Sequence, residues 1–497
     1  MIAPSEISIA DALYSVSSVR ALDRCAIDER GIPGYTLMTR AAESAVDLAR
    51  RRFPGRVTWT VVCGGGNNAG DGYVVARLAA AAGIDVQTIA LVEPAKLAGD
   101  AGRAVADFLD AGLVASAWDG RIPDDTGLIV DALLGSGLQR DVTGRFLAAV
   151  HAINGAPAPV LSLDIPTGLD GDTGRIHGAA VSADATVTFV GQKAGLFLGE
   201  GPALAGDVTL SSLDIPADCY AAQEPLLRLI PETLVAECLP PRSRDAHKGS
   251  FGHVVVVGGG PGMPGAVRLA GEAALRAGAG LVSVATHADH AAEIAAARPE
   301  LMVHAAHDVR DVASLIDRAD VIAVGPGLGQ TDWSRDLLAA ALDSGKPLVV
   351  DADALNLIAG SDFVRPDSVI TPHPGEAGRL LGIETAEVQA NRINAVRSLT
   401  TRYGATAILK GAGSLICDGE EPPWLCSKGN PGMAAPGMGD VLTGVVAALV
   451  AQRLPPQLAA VCGVDVHARA GDLAAASRQR GMLASDLVER LRTVVNP

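Results

Sequence analysis

Short apolar runs that stop abruptly at glycine or aspartate turns recur along this chain, and they narrow its fold more than any other feature. Residues 57–62 lead into Gly64-Gly65-Gly66-Asn67-Asn68-Ala69-Gly70-Asp71-Gly72. Residues 128–130 lead into Asp131-Ala132-Leu133-Leu134-Gly135-Ser136-Gly137-Leu138, and residues 160–163 into Asp164-Ile165-Pro166-Thr167-Gly168. Runs this short and apolar throughout read as strands of a parallel sheet covered on both faces. With helices predicted over 41–52 and from the first glycine turn through 82, they make βαβ units. The expectation is an α/β protein, and in such sheets ligands bind outside the carboxyl ends of the strands. Asn68, Asp131, Asp164 and Thr167 then converge on one crevice, although each aspartate can equally cap a loop or a following helix.

At 497 residues the chain exceeds one ordinary core, so two or three domains are expected. Aromatic residues make up 3% and the formal charge is −16, which argues against stacking on nucleic acid and against a polyanionic partner. Seven cysteines with no C-x-x-C pair suggest neither a disulfide framework nor a zinc site, and fit a reducing compartment. The first twenty residues lack an apolar signal core. The longest apolar run, residues 441–451, falls short of the roughly 18 residues of a membrane span. A soluble, cytoplasmic protein with no membrane partner is expected.

The pattern breaks between residues 218 and 245, at Ile230-Pro231, Leu239-Pro240-Pro241 and Arg242-Ser243-Arg244-Asp245. A boundary near residue 221 divides the chain into domains 1–221 and 222–497. The second half restarts with predicted strands at 253–257, 281–286, 321–324, 348–350, 368–370 and 406–409. Most end in a conspicuous loop, among them Gly325-Pro326-Gly327, Asp351-Ala352-Asp353, Thr371-Pro372-His373-Pro374-Gly375-Glu376 and Lys410-Gly411-Ala412-Gly413-Ser414. Gly64-x-Gly66-x-x-Ala69 and Gly260-x-Gly262-x-x-Gly265 both satisfy the dinucleotide fingerprint formally. In the second, Pro261 and Pro264 remove N–H groups a pyrophosphate would use. Near the end, residues 430–440, rich in glycine and proline, feed an apolar stretch with helical character. Gly437 to Asp440 are thus expected at a helix N-terminus, where free N–H groups and the helix dipole favour an anion. Asp440 reads either as a plain N-cap or as a base that takes a proton from a hydroxyl beside a phosphate in transfer.

The first-half motifs resemble the NAD(P)H-hydrate epimerase domain of the YjeF N-terminal family over about residues 10–215. That resemblance implies a Rossmann-like three-layer αβα domain. Asn67, Asn68, Ala69, Gly70 and Asp71, with Gly135, Ser136, Gly137, Leu138, Gln139, Arg140 and Asp141, would cradle the hydrated nicotinamide nucleotide. Asp164 would contact the substrate and move protons, and Asn68, Asp131 and Thr167 would hold K⁺. Ala69 stands where the family has glycine, a methyl expected to crowd a phosphate. Lys193 also resembles a family position, while by residue type it reads as a solvated surface lysine.

The second-half loops resemble the ADP-dependent NAD(P)H-hydrate dehydratase family, whose fold is ribokinase-like αβα, over about residues 240–495. By that resemblance Lys410, Gly411, Ala412, Gly413, Ser414 and Gly439 would bind ADP. Ala266, Gly327, His373 and Asp440 would face the hydrate. Ser414 replaces a usual threonine, and Met438 a usual small residue. Mg²⁺ is expected with the diphosphate, through water, near Glu376 and Asp353. Both domains in one chain resemble the bifunctional NAD(P)H-hydrate repair family, often tetrameric or larger. Two other readings stay open: a ribokinase-like small-molecule kinase, and an N-terminal half that only binds a nucleotide or partner.

Overall fold

A computed structural model describes residues 8–361, 363–419, 421–476 and 478–496. The chain forms two compact units, one up to Leu227 and one from Arg228, so the change of unit lies a little beyond residue 221.

The strands of the first unit are β1 (Ala12–Tyr14), β2 (Thr58–Cys63), β3 (Asp85–Ala90), β4 (Ala115–Ala117), β5 (Leu128–Ala132), β6 (Val160–Leu163), β7 (Ala185–Phe189), β8 (Gln192–Lys193) and β9 (Asp207–Ser211). Seven of them form a parallel sheet in the order β4-β3-β2-β5-β6-β7-β9. Alternate side chains feed opposite cores: Val61 and Val130 enter one apolar cluster, Val62 and Ile129 the other. Burial on both faces favours apolar residues at most positions, which explains the mostly apolar runs in the sequence. The order reverses between β2 and β5. The helices that follow them pack on opposite faces of the sheet, opening a crevice outside the two carboxyl ends.

The second unit repeats this logic. Its strands are β10 (Leu227–Leu229, where the chain enters the unit), β11 (His253–Val257), β12 (Leu281–His287), β13 (Met302–Ala306), β14 (Val321–Val324), β15 (Leu348–Val350), β16 (Val369–Ile370), β17 (Thr406–Leu409), β18 (Ser414–Cys417) and β19 (Trp424–Cys426). They run in the order β13-β12-β11-β14-β15-β16-β17-β18-β19, parallel as far as β17 and antiparallel through β18 and β19, with β10 parallel to β19. Here the order reverses between β11 and β14; Ala266 sits in the first turn of the helix Pro264–Arg276 that follows β11, and Gly327 in the loop after β14.

The helix Met438–Ala451 is buried over most of its surface, because alanine, valine, leucine and glycine occupy almost every position. It packs against the helix Pro264–Arg276. A Cβ at Gly444 would stand 2.0 Å from the Ala270 carbonyl oxygen, so only glycine permits this approach. Among the described residues no helix is long and apolar enough to cross a membrane.

One expectation fails in the first unit. Cys25 and Cys219 are joined as a disulfide, with their Cα atoms 5.9 Å apart, and the other five cysteines are free. A pairing across 194 positions leaves no spacing pattern to read, because the folded chain alone brings the two thiols together.

Candidate active sites

In the first unit, a cavity of about 980 Å³ lies at the carboxyl ends of β2, β5 and β6. Asn67, Asn68 and Asp71 line it from the helix Asn67–Ala81, Gly135 to Asp141 from the loop after β5, and Asp164 from the end of β6. Ala69 and Gly70 belong to the same helix turn but face away. The Ala69 methyl is fully buried in the hydrophobic cluster, and a Cβ at Gly70 would meet Met38 and Ala101. The extra methyl of Ala69 therefore crowds no ligand, contrary to expectation.

Asp164 has φ 66°, an uncommon conformation for a non-glycine residue, and its N–H donates to Val187 at 2.8 Å. Its carboxylate accepts from Lys193 Nζ and, at 3.4 Å, from the Ser136 N–H. Lys193 is not a surface residue. It is 1% exposed, and its ammonium also donates to Thr188 Oγ1 at 3.1 Å and to the Phe189 carbonyl at 2.9 Å. Residue type misled here because a lysine can be buried once its charge is paired and its three donors are satisfied. Burial alone would raise the Asp164 carboxyl. The charge and hydrogen bond of Lys193, with the bonds from Ser136, outweigh it and hold Asp164 below its ordinary value.

Two neighbouring carboxyls go the other way. Asp71 is pushed well above the carboxylate range by burial and by the charges of Asp164 and Asp23, with Lys193 opposing. Burial raises Asp23 to about 6, Lys193 opposing and Asp164 adding. Asp23 was not singled out in the sequence; it lies on the helix Val16–Arg24, far from any glycine turn.

Asp131 is fully buried. Its Oδ1 accepts from Thr167 Oγ1 at 2.7 Å and from the Leu133 N–H at 3.3 Å. Its Oδ2 accepts from Ser162 Oγ and the Thr167 N–H, each at 2.9 Å. Asn68 is buried with neither Oδ1 nor Nδ2 hydrogen-bonded. An amide oxygen in that condition suits a hard cation, whereas the Asp131 carboxylate and Thr167 hydroxyl bond each other.

In the second unit the predicted residues gather at the carboxyl ends of β11 and β14 to β17. Gly327 and Ala266 adjoin, since a Cβ at Gly327 would be 3.1 Å from that of Ala266. Lys410, ending β17, pairs with Asp351 at the end of β15 (2.7 Å) and lies 3.7 Å from Glu376. Thr443 Oγ1 donates to the other Asp351 oxygen at 2.8 Å. A Cβ at Gly439 would stand 3.4 Å from Lys410 Nζ and 3.6 Å from Asp351 Oδ2. The first turn of the helix Met438–Ala451 thus rests directly on this ion pair. Asp351 is 1% exposed and stays below its ordinary value because Lys410 and Thr443 outweigh burial.

Asp440 is not an N-cap. Gly437 caps the helix in the left-handed conformation (φ 88°), and Asp440 is the third residue of the helix, making no capping bond. Its carboxyl is raised to about 7 by burial, then by the charge of Asp351, with Lys410 opposing and Asp353 adding. His373 instead is an N-cap: Nδ1 accepts from the N–H groups of Gly375 at 3.0 Å and Glu376 at 3.4 Å, which leaves the ring proton on Nε2. Burial, then Lys410 and Arg379, lower its pKa and keep the ring neutral. Glu376 completes the capping box by accepting from the His373 N–H at 2.8 Å, while Asp353 accepts from the Gly329 N–H at 2.8 Å. Glu376, 5% exposed and committed to His373 and Lys410, is poorly disposed to hold Mg²⁺. Sequence reasoning treated Asp351 only as part of a conspicuous loop and passed over Thr443; their strand-end and helix positions were visible, their pairing was not.

Two family models match the chain: YjeF-related protein N-terminus over residues 34–195, and NAD(P)H-hydrate dehydratase over residues 254–493. The chain is 44% identical to the bifunctional NAD(P)H-hydrate repair enzyme Nnr of Coxiella burnetii, over 98% of this chain and 99% of the relative. It is 42% identical to the enzyme of that name from Escherichia coli, over 99% of this chain and 95% of the relative. Among solved structures, a ribokinase-like superfamily protein from Enterococcus faecalis matches with a TM-score of 0.51 and 28% identity, covering 55% of this chain and 96% of that one.

Proposed function

The chain belongs to the family of bifunctional NAD(P)H-hydrate repair enzymes, and from that premise we propose how its two sites divide the repair. The first domain is the epimerase, interconverting the R and S hydrates; the second is the dehydratase, returning the S hydrate to NAD(P)H while ADP becomes AMP and phosphate. One observation carries the assignment of residues. The Lys410 loop and the helix start at Gly439 and Asp440 meet on one buried ion pair, so a nucleotide seat adjoins a carboxyl poised near neutrality.

In the dehydratase, Lys410 to Ser414 and Gly439 bind ADP, and Ala266, Gly327 and neutral His373 wall the hydrate. Asp440 takes the proton of the C6 hydroxyl as that oxygen attacks the β-phosphorus of ADP and AMP departs. The N–H groups of Gly437 to Gly439 stabilise the charge on the transferring phosphoryl group. Phosphate then leaves C6 in place of hydroxide, a far poorer leaving group, and loss of a ring proton restores the dihydronicotinamide. Mg²⁺, were it bound with the diphosphate near Asp353 through water, would neutralise part of its charge.

In the epimerase, the ionised Asp164 is the base and Asp71, held protonated, its acidic counterpart. Two carboxyls whose surroundings push them in opposite directions suit a carbinolamine that must open and reclose. Asn67 and the loop from Gly135 to Asp141 hold the nucleotide. K⁺ would be held by Asn68, Asp131 and Thr167, supplying a fixed positive charge for a phosphate; the unpaired Asn68 amide oxygen supports that choice.

The test is to give the full chain pure R or S hydrate with ADP, with ATP or with no nucleotide. Return of dihydronicotinamide absorbance from S with ADP, and from R by way of epimerisation, is expected. No return, with stable phosphorylated products from unrelated alcohols, would favour a small-molecule kinase instead.

A further inference from the structure

The loop Lys410 to Gly413 is shaped from behind by one residue that neither motif contains. Arg392 opens the helix Arg392–Tyr403 and is 7% exposed. One of its terminal nitrogens, Nη2, donates to three carbonyls of the loop and its approach: Leu409 at 3.2 Å, Lys410 at 3.3 Å and Gly413 at 3.2 Å. The other, Nη1, donates to Gln389 Oε1 at 2.9 Å, and Nε is buried without a partner. Among the described residues no carboxylate is ion-paired with it. Burial lowers its pKa only to about 10, so the guanidinium stays charged at neutral pH.

A planar trans peptide points its C=O and the following N–H in opposite directions. Of the N–H groups that follow these carbonyls, that of Lys410 is bonded to the Pro372 carbonyl at 2.9 Å, which leaves that of Gly411 to point outward in the loop. The Lys410 carbonyl faces the guanidinium, so the Gly411 N–H faces away from it. Among the described residues nothing accepts from the N–H groups of Gly411, Ala412 or Gly413, while Gly411 and Ala412 are exposed. Successive free N–H groups in a glycine loop form an anion-binding nest. A buried cation with no counter-charge is costly, and an anion above it offsets that cost.

We propose that Arg392 is the positioning residue of the nucleotide site, holding the Lys410–Gly413 loop so that its N–H groups face a phosphate of ADP, and lending that phosphate its uncompensated charge. The inference rests on the reading that this loop seats ADP. It assigns Arg392 a role in phosphate recognition, apart from the hydrate and from the adenosine moiety.

The experiment is calorimetric titration of the full chain and of its Arg392→Lys and Arg392→Met variants with ADP, AMP and adenosine, alongside the KM for each dehydration substrate. ADP and AMP affinity is expected to fall at least tenfold in Arg392→Met and by less in Arg392→Lys. Adenosine affinity and the hydrate KM should change less than about twofold. Equal losses for adenosine and ADP, or no loss, would overturn the proposal. Should the methionine variant not fold, the lysine variant decides alone: unchanged ADP affinity refutes the role. Wild-type protein that binds no ADP would instead sink the nucleotide-site reading itself.

Discussion

Each domain buries a lysine–aspartate pair at the carboxyl ends of its strands and sets a second carboxyl beside it, yet the two pairs are wired differently. In the first domain Lys193 grips Asp164, the carboxylate proposed to act, and pulls it below its ordinary value. In the second, Lys410 grips Asp351 and leaves the proposed base outside the pair; Asp440 then feels burial and an adjacent negative charge, and rises to about 7. The same two residue types produce a strongly ionised carboxylate where the lysine touches the acting group. They produce a group poised near neutrality where it touches a bystander. The first arrangement suits proton traffic on a carbinolamine; the second suits a base that must accept a proton from an alcohol during phosphoryl transfer.

Breaking the two groups separately gives the largest effects. Asp440→Asn is expected to lower dehydration kcat by roughly 10²–10⁴, the usual worth of a general base, while ADP affinity and epimerisation are retained. Assaying both activities on one preparation checks this, and an active variant would remove Asp440 from the chemistry. Lys193→Met should abolish most epimerisation and also lower stability by about 3–5 kcal/mol, because it strands the Asp164 charge in a buried site. Denaturant unfolding measures the second effect, and a variant of unchanged stability would show that the pair is not an obligate one.

Smaller but sharper is the pH dependence. Asp440 acts as a base only when ionised, so dehydration is expected to fall as pH drops through about 7. Epimerisation should hold its rate well below that, since Asp164 stays ionised. The charged groups that act on Asp440 are Asp351, Lys410 and Asp353. Removing the negative one that contributes most, by Asp351→Asn, should move the dehydration limb about one unit to lower pH without moving the epimerase profile. Coincident limbs in the wild type, or an unmoved limb in the variant, would mean the two sites do not differ as described.

Much of this was legible before folding. Strands such as β11, β14 and β17 begin and end where their mostly apolar runs do, because a strand covered on both faces is selected for burial. Strand ends and the turns or helix starts that follow them carry Asn68, Asp131, Asp164, Gly327 and Lys410, since parallel-sheet proteins present chemistry at strand ends. Gly437 to Asp440 at a helix start was equally plain, because no other element follows such a loop into so apolar a stretch. The residues that sequence reasoning missed share a property. Lys193 read as surface because the carboxylate that pairs with it lies 29 positions before it. Arg392 carries no motif, since what it contacts are backbone carbonyls, which every residue has. Cys25 and Cys219 form no spacing pattern. Periodicity and turn chemistry are local and so are written in the order of residues. Which charge neutralises which, which carboxyl rises and which falls, depends on distances between segments far apart in the chain, and only the tertiary structure decides those.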